Sequence, residues 1–249
     1  MKISDFQEQL SALYLRLNGF FISGFIVHAP QNEFNDKGEP RKNRTEVDVL
    51  AVRFPHNIEP ERKIGTSSFL ETSSKYIDFL ICEVKGQKNS VQFNPGLREN
   101  PSSVRTLLRW IGLFTEEQLQ ELIVPVTALL DTQNHNNFEN YREHLISQEL
   151  IKEPKIRIRA ILFAPDRPAA KKGQTKFVHG QELIDYIWAC LRPEKPRPEC
   201  VTSYDFGLWG QYEPIIRFFK YAKQKPSNVA EIYKEIMMKK IVNPKVIKL

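Results

Sequence analysis

The 249-residue chain has little cysteine and no long apolar segment. Its three cysteines, Cys82, Cys190 and Cys200, form no CxxC pair and no even-numbered framework, which argues against a disulfide scaffold. No uninterrupted apolar run approaches the ~18–20 residues that a membrane-spanning helix requires. The N-terminal sequence MKISDFQEQ is charged and polar where a signal peptide would be apolar. We therefore expect a soluble, cytoplasmic protein with reduced thiols and no membrane partner.

The usual signatures of nucleotide binding and of several hydrolases are also missing. Neither GxGxxG nor GxxxxGK[ST] occurs, so the common evidence for dinucleotide or P-loop binding is lacking. The GxSxG nucleophile turn and the HExxH zinc motif are absent as well. The five histidines share no metal-ligand spacing and are better explained as surface or locally bonded residues. An active site in this chain must be built from other residue types.

Charge is distributed unevenly along a chain of ordinary globular composition. Hydrophobic residues make up 41%, enough for one large domain or two small ones without disulfide bonds. Residues 220–249 contain eight lysines and two glutamates, and so account for the whole net charge of +6. A basic end is typical of polyanion binding, but a solvated lysine-rich helix explains it equally well.

The spacing of apolar residues predicts an α/β protein with the order α-β-β-β-α-β, followed by further helices. Ser4 opens a capping-box pattern for a first helix that ends near Leu17. The predicted strands span residues 20–30, 45–55, 76–86 and 155–165. Later helices are predicted to begin at Pro101 and to span 115–130, 138–150, 180–193, 212–223 and 231–242.

Two of the predicted strands carry charged residues. The second contains Glu46-Val-Asp48, and the third contains Glu83-Val-Lys85 followed by Gly86. Charges inside apolar strands are costly to bury without a partner or a metal. Because strand side chains alternate between faces, Glu46 and Asp48 share one face, and so do Glu83 and Lys85. If the two strands pair, carboxylates and one ammonium converge on a spot that suits Mg²⁺.

A helix, a strand, EVDVLAV and DFLICEVKG together resemble the PD-(D/E)XK nuclease superfamily, whose fold archaeal Holliday-junction resolvases share. The resemblance covers roughly residues 5–90 by motif. It implies a restriction-endonuclease-like αβββαβ core, in which helices flank a mixed central sheet. We assign this nuclease-like domain to residues 1–200, with a C-terminal helical, lysine-rich extension over 201–249 packed on or next to it.

The resemblance also implies roles for individual residues. In that superfamily the strand-two aspartate and the E-x-K glutamate bind the metal, and the lysine orients or polarises the attacking water. The matching residues are Asp48, Glu83 and Lys85, with the backbone carbonyl of Val84 as a further metal ligand. Glu46 is expected to support the metal directly or through water.

Many members of the superfamily also carry an acidic residue in the first helix, about eleven residues before a Gly-aromatic pair. Glu8 occupies that position before Gly19 and Phe20. A helical wheel places Glu8 almost opposite the main apolar stripe, although Ala12 and Leu15 make its own side apolar too. A catalytic Glu8 and a solvent-facing Glu8 therefore both stay open.

We expect a Mg²⁺-dependent nuclease, with Mn²⁺ as a substitute, that hydrolyses DNA phosphodiester bonds as a restriction, defence or repair endonuclease. RNA as a substrate and a homodimeric assembly are left open. The alternative is a catalytically silent nucleic-acid-binding or assembly module of the same fold. In that case Glu83 and Lys85 would only form ion pairs at an exposed strand end.

Overall fold

The computed structural model describes residues 1–28, 44–57, 64–86, 90–131, 155–171, 176–192 and 210–242. These residues form an α/β fold in which an open mixed sheet of five strands is flanked by seven helices. The strands are β1 (Phe21–His28), β2 (Arg44–Arg53), β3 (Tyr76–Val84), β4 (Lys155–Ala164) and β5 (Val178–His179). The helices are α1 (Ile3–Leu17), α2 (Pro95–Arg98), α3 (Pro101–Ile111), α4 (Glu116–Leu130), α5 (Gly180–Leu191), α6 (Glu213–Tyr221) and α7 (Val229–Val242). None of these helices has the length and apolar character needed to cross a membrane.

The four predicted strands are confirmed, and each begins within one residue of its expected start. The short elements α2 and β5 were not predicted, and the helix predicted over 138–150 lies outside the described residues. The predicted capping box of α1 is wrong by two positions, because the N-cap is Lys2 and not Ser4. Ser4 lies inside the helix, because the Asp5 carboxylate accepts a hydrogen bond from the Lys2 N–H at 3.1 Å and caps it earlier.

The strands follow one another across the sheet in chain order. β2 is antiparallel to both β1 and β3, whereas β4 and β5 run parallel to β3. The register pairs Val49 with Cys82 and Arg53 with Asp78, so the two acid-bearing strands are direct neighbours. The polar insertion between them does not prevent the pairing. Because β3 and β4 are parallel, their carboxyl ends, at Val84 and Ala164, meet at one edge of the sheet.

The sheet separates two buried clusters. On one side, which we call the α1 face, helices α1, α5, α6 and α7 cover strand residues that include Val49, Leu80 and Cys82. On the other side, the α3 face, helices α2, α3 and α4 cover Leu50 and Ile81. Helix α1 is apolar on two sides because it lies between the sheet and the later helices. Its buried residues include Phe6, Leu10, Ala12, Leu13, Leu15 and Leu17.

The C-terminal helices contribute to this core. Phe219 of α6 and Ile232 and Ile236 of α7 are buried in the cluster on the α1 face. Among the lysines that the structure describes in this segment, Lys223 and Lys234 are exposed. Exposed positive charge and buried apolar residues therefore share the described part of this segment.

A buried ion network anchors the loop that precedes β3. Asp78 accepts hydrogen bonds from Arg157 at 2.6 Å and from Arg159 at 2.9 Å. The same guanidinium groups donate to the carbonyl oxygens of Leu70 and Glu71, at 2.5 and 3.0 Å. These bonds connect the loop to two strands at the end of the sheet opposite to Val84.

Candidate active site

A β-bulge in β2 turns Asp48 toward the α1 face. Ser23 pairs with Leu50 but Phe25 pairs with Val47, so β2 has one residue more than β1 between these pairs. Val47 and Leu50 both pack on the α3 face, although they are three positions apart. Asp48 lies between them and lines a cleft beside α1. Regular alternation would have put Asp48 on the same face as Leu50.

The Asp48 carboxylate accepts the hydrogen bond from β3 that a backbone carbonyl of β2 would accept in a regular ladder. Regular pairing of β2 with β3 ends next to it, and the Val84 N–H donates to Asp48 Oδ2 at 2.7 Å. Burial raises the pKa of Asp48 above its ordinary value. The hydrogen bond from Val84 and the Lys85 charge act in the opposite direction, while the charge of Glu46 raises that pKa further. Asp48 is thus held in place by the backbone of the E-x-K segment.

Glu83 is a buried carboxylate with an incomplete set of partners. The residue is only 1% exposed, and its Oε1 accepts a hydrogen bond from Lys85 Nζ at 2.5 Å. Its Oε2 is buried and has no hydrogen-bond partner among the described residues. Burial, followed by the charge of Asp48, raises the pKa of Glu83 to about 8, although Lys85 opposes the shift. Burying a carboxylate oxygen without a partner is costly, and Glu83 Oε2 is therefore a potential ligand atom for a cation.

Asn94 completes the environment of Lys85 and was not recognised in the sequence. The Lys85 ammonium donates to Asn94 Oδ1 at 2.8 Å, and Asn94 Nδ2 lies 3.5 Å from the carbonyl oxygen of Glu46. Asn94 is the N-cap of α2, but its side chain makes no capping hydrogen bond. The dipeptide Asn-Pro is typical of a helix start, so no local signal distinguishes this asparagine from an ordinary cap.

The structure brings Glu8 to the same end of the sheet. Glu8 is half-buried on α1 and lines the cleft together with Asp48. Burial raises the pKa of Glu8 to about 7, and the charges of Asp48, Asp5 and Glu46 add to the shift. The charge of Glu8 in turn contributes to the raised pKa of Glu83. Glu8 therefore lies half-buried at the cleft, and its catalytic role stays a prediction.

The three acids do not form a closed cluster. Alternation along β3 places Glu83 on the side of Ile81, whereas Asp48 and Glu8 open into the cleft beside α1. Within the described ranges, no three histidine, cysteine, aspartate or glutamate side chains are grouped closely enough to hold a metal ion. Glu46 is exposed, and Val84 contributes its N–H to Asp48.

Asp48 and Glu83 have the donor chemistry of a hard-cation site, although they lie on different sides of the sheet edge. Carboxylate and carbonyl oxygens are the ligands that Mg²⁺ prefers, usually only one or two carboxylates together with water and phosphate. Asp48 and the unsatisfied Oε2 of Glu83 supply two such groups, with the ammonium of Lys85 beside them. Comparisons of the chain with protein-family models, with curated proteins and with solved structures gave no match.

Proposed function

We propose that this chain is a metal-dependent phosphodiesterase that cleaves DNA, built on the restriction-endonuclease-like core that its motifs resemble. The observation that carries the proposal is the buried Glu83 Oε2, which has no partner in the described part of the chain. A buried, singly paired carboxylate is costly, and a bound cation would offset that cost. The order α1, β1, β2, β3, helices and β4 supports the same proposal because it follows the αβββαβ pattern.

Each residue has a distinct role in this proposal. Asp48 and Glu83 would hold Mg²⁺ or Mn²⁺, with support from the Val84 carbonyl, from Glu46 and from Glu8. A divalent cation in such a site neutralises charge on the scissile phosphate and lowers the pKa of water. Lys85 holds its ammonium next to Glu83, where it stabilises the negative charge that develops on the phosphoryl oxygens. The choice of DNA over RNA rests on the resemblance.

A binding module without cleavage is the second candidate, and two observations favour it. The described residues contain no group of three potential metal-ligating side chains, and Lys85 already occupies one oxygen of Glu83. In this alternative the two residues form a permanent ion pair. Metal-dependent stabilisation separates the two candidates, because a closed ion pair gains nothing from added Mg²⁺.

The decisive experiment measures cleavage and thermal stability in parallel. Plasmid, linear and branched DNA are incubated with the protein in Mg²⁺ or Mn²⁺, and the melting temperature is followed as each metal is added. We expect Asp48→Asn and Glu83→Gln each to reduce cleavage by at least ~10³-fold, because a metal supplies several kcal/mol of transition-state stabilisation. Both variants should also lose the metal-induced rise in melting temperature.

Glu121→Gln is the matched control, because it removes an exposed carboxylate on α4. It should behave as wild type in both measurements. If wild type shows neither cleavage nor metal-dependent stabilisation, the binding-module candidate replaces the nuclease.

A further inference from the structure

Helix α2 packs very closely against β2. A Cβ placed on Gly96 of α2 would lie 3.0 Å from the Cβ of Thr45 and 3.4 Å from its hydroxyl oxygen, which is closer than most Cβ contacts in proteins. Glycine is used where another part of the chain approaches this closely. A larger residue at position 96 would therefore push α2 and β2 apart by a few tenths of an ångström.

Thr45 is fixed at this contact. It belongs to β2 and is only 7% exposed, and the atom that lies nearest to Gly96 is its Cβ. A Cβ is bonded directly to the backbone, so no change of rotamer moves it away. The Thr45 hydroxyl has no hydrogen-bond partner among the described residues. Thr45 therefore contributes its shape to this contact and not a hydrogen bond.

Helix α2 depends on its neighbours for its position. It consists of a single turn, Pro95–Arg98, and helices this short are not stable by themselves. Leu97 is fully buried in the cluster on the α3 face, and Asn94 Nδ2 lies 3.5 Å from the carbonyl oxygen of Glu46 on β2. The packing of Leu97 and Gly96 thus determines how close the start of α2 comes to β2.

The start of α2 carries an acceptor for the Lys85 ammonium. Asn94 precedes Gly96 by two residues, and its Oδ1 accepts a hydrogen bond from Lys85 Nζ at 2.8 Å. The other acceptor of this ammonium is Glu83. Because N–H···O hydrogen bonds are weak beyond about 3.2 Å, a displacement of a few tenths of an ångström is enough to loosen the bond to Asn94.

We propose that Gly96 and Thr45 are positioning residues for Lys85. Their contact seats α2 against β2, so that Asn94 holds the ammonium next to Glu83. This inference rests on the proposed function, in which Lys85 stabilises charge on the phosphoryl oxygens. A charged group is most effective when it is already in place before the reaction begins. Two acceptors on separate elements fix the ammonium better than one.

The test uses two substitutions at the same contact. Gly96→Ala adds a methyl group that meets Thr45, and Thr45→Gly removes the atom that it would meet. Glycine weakens a strand, so a gain of activity on adding Thr45→Gly cannot come from greater stability. Gly65→Ala is the matched control, because a Cβ on Gly65 meets no atom within 4 Å. Thermal melting verifies that each variant folds.

We expect Gly96→Ala to lower kcat for DNA cleavage by about 10-fold, the effect of a small misplacement, with little change in the Kd for DNA in Ca²⁺. The double variant Gly96→Ala/Thr45→Gly should regain most of the lost turnover. Thr45→Ile enlarges the same contact from the strand side and should act like Gly96→Ala, which keeps the test decisive if Gly96→Ala does not fold. Normal kcat in folded Gly96→Ala, or a loss that Thr45→Gly does not restore, overturns the inference.

The Lys85 ammonium provides a readout that does not depend on cleavage. In NMR spectra of metal-free protein with isotope-labelled lysine, its signal is the one that Lys85→Met lacks. The hydrogen bonds to Asn94 and Glu83 should protect this ammonium from exchange with water in wild type. The protection should fall in Gly96→Ala and return in the double variant.

This readout separates failure of the inference from failure of the proposed function. If the protection follows the expected pattern but wild type cleaves no DNA, the positioning is right and the nuclease assignment is wrong. If wild type cleaves DNA but Gly96→Ala changes neither kcat nor the protection, the positioning is wrong and the nuclease assignment stands.

Discussion

The Asp48 carboxylate accepts a hydrogen bond from the backbone N–H of Val84 at 2.7 Å, where β2 separates from β3. Val84 is the central residue of the E-x-K segment, so this bond joins the two parts of the acidic motif directly. The bulge in β2 allows this hydrogen bond, because it turns the Asp48 side chain out of the regular alternation of the strand. A movement of β2 against β3 would therefore shift Asp48 relative to both Glu83 and Lys85.

The raised pKa of Glu83 predicts a specific dependence of stability on pH. Its pKa rises from an ordinary 4.5 to about 8 in the fold, so the folded state keeps a proton that the unfolded state releases. The stability contributed by Glu83 is complete below its ordinary pKa and is lost as the pH rises through about 8. Glu83→Gln cannot ionise and should not show this loss.

We therefore expect the melting temperature of metal-free Glu83→Gln to exceed that of wild type by several degrees at about pH 9 and by much less at about pH 5. Melting curves in chelator-containing buffers across this range provide the measurement. Glu121→Gln should follow wild type at every pH. A difference that does not change with pH would show that Glu83 is ionised throughout.

Lys85 should act on turnover more than on binding. An ammonium beside Glu83 stabilises charge that develops in the transition state more than it stabilises bound DNA. We expect Lys85→Met to lower kcat by at least ~10²-fold, the scale for loss of one preorganised electrostatic group. The Kd for DNA in Ca²⁺ should stay near that of wild type. A loss of binding with normal turnover at saturation would make Lys85 a phosphate anchor instead.

Asn94 should matter through its oxygen atom. Its Oδ1 accepts a hydrogen bond from Lys85 at 2.8 Å and its side chain does not cap α2, so a substitution there removes no helix cap. We expect Asn94→Leu, which has a similar shape but no acceptor, to lower kcat by roughly 10-fold or more with little change in KM. Asn94→Asp keeps an acceptor and should retain most of the activity. Equal loss in both variants would mean that Asn94 has only a packing role.

The basic C-terminal segment should supply affinity that does not depend on DNA sequence. Deletion of residues 220–249 cannot test this, because it removes the buried residues Ile232 and Ile236. The exposed Lys223 and Lys234 can instead be neutralised together as Lys223→Gln and Lys234→Gln. If both contact phosphates, the slope of log K against log salt should become shallower by about two. An unchanged slope would show that these lysines are only solvated.

The order of the long elements and the presence of charged residues inside two apolar strands could be predicted from the sequence. Apolar β-branched runs predicted all four long strands, because side-chain alternation and propensity are local properties. A charged residue inside an apolar strand, such as Glu83, can be recognised for the same reason, because the apolar residues on either side of it in the chain predict that it will be buried. The short elements α2 and β5 gave no such signal, since each depends on the partners against which it lies.

The arrangement of the candidate site was decided by tertiary structure. The bulge that turns Asp48 arises from the pairing of β2 with β1, and the sequence around Asp48 gives no signal that predicts it. Burial raises the pKa of Glu8, and Asp48 and Glu46 on β2 and Asp5 on its own helix add to the shift. Asn94 reaches Lys85 from the start of a separate helix. Contacts of this kind join residues that are distant in the chain. Local sequence determined which charged side chains the strands and helices carry, and packing across the sheet determined which of them meet.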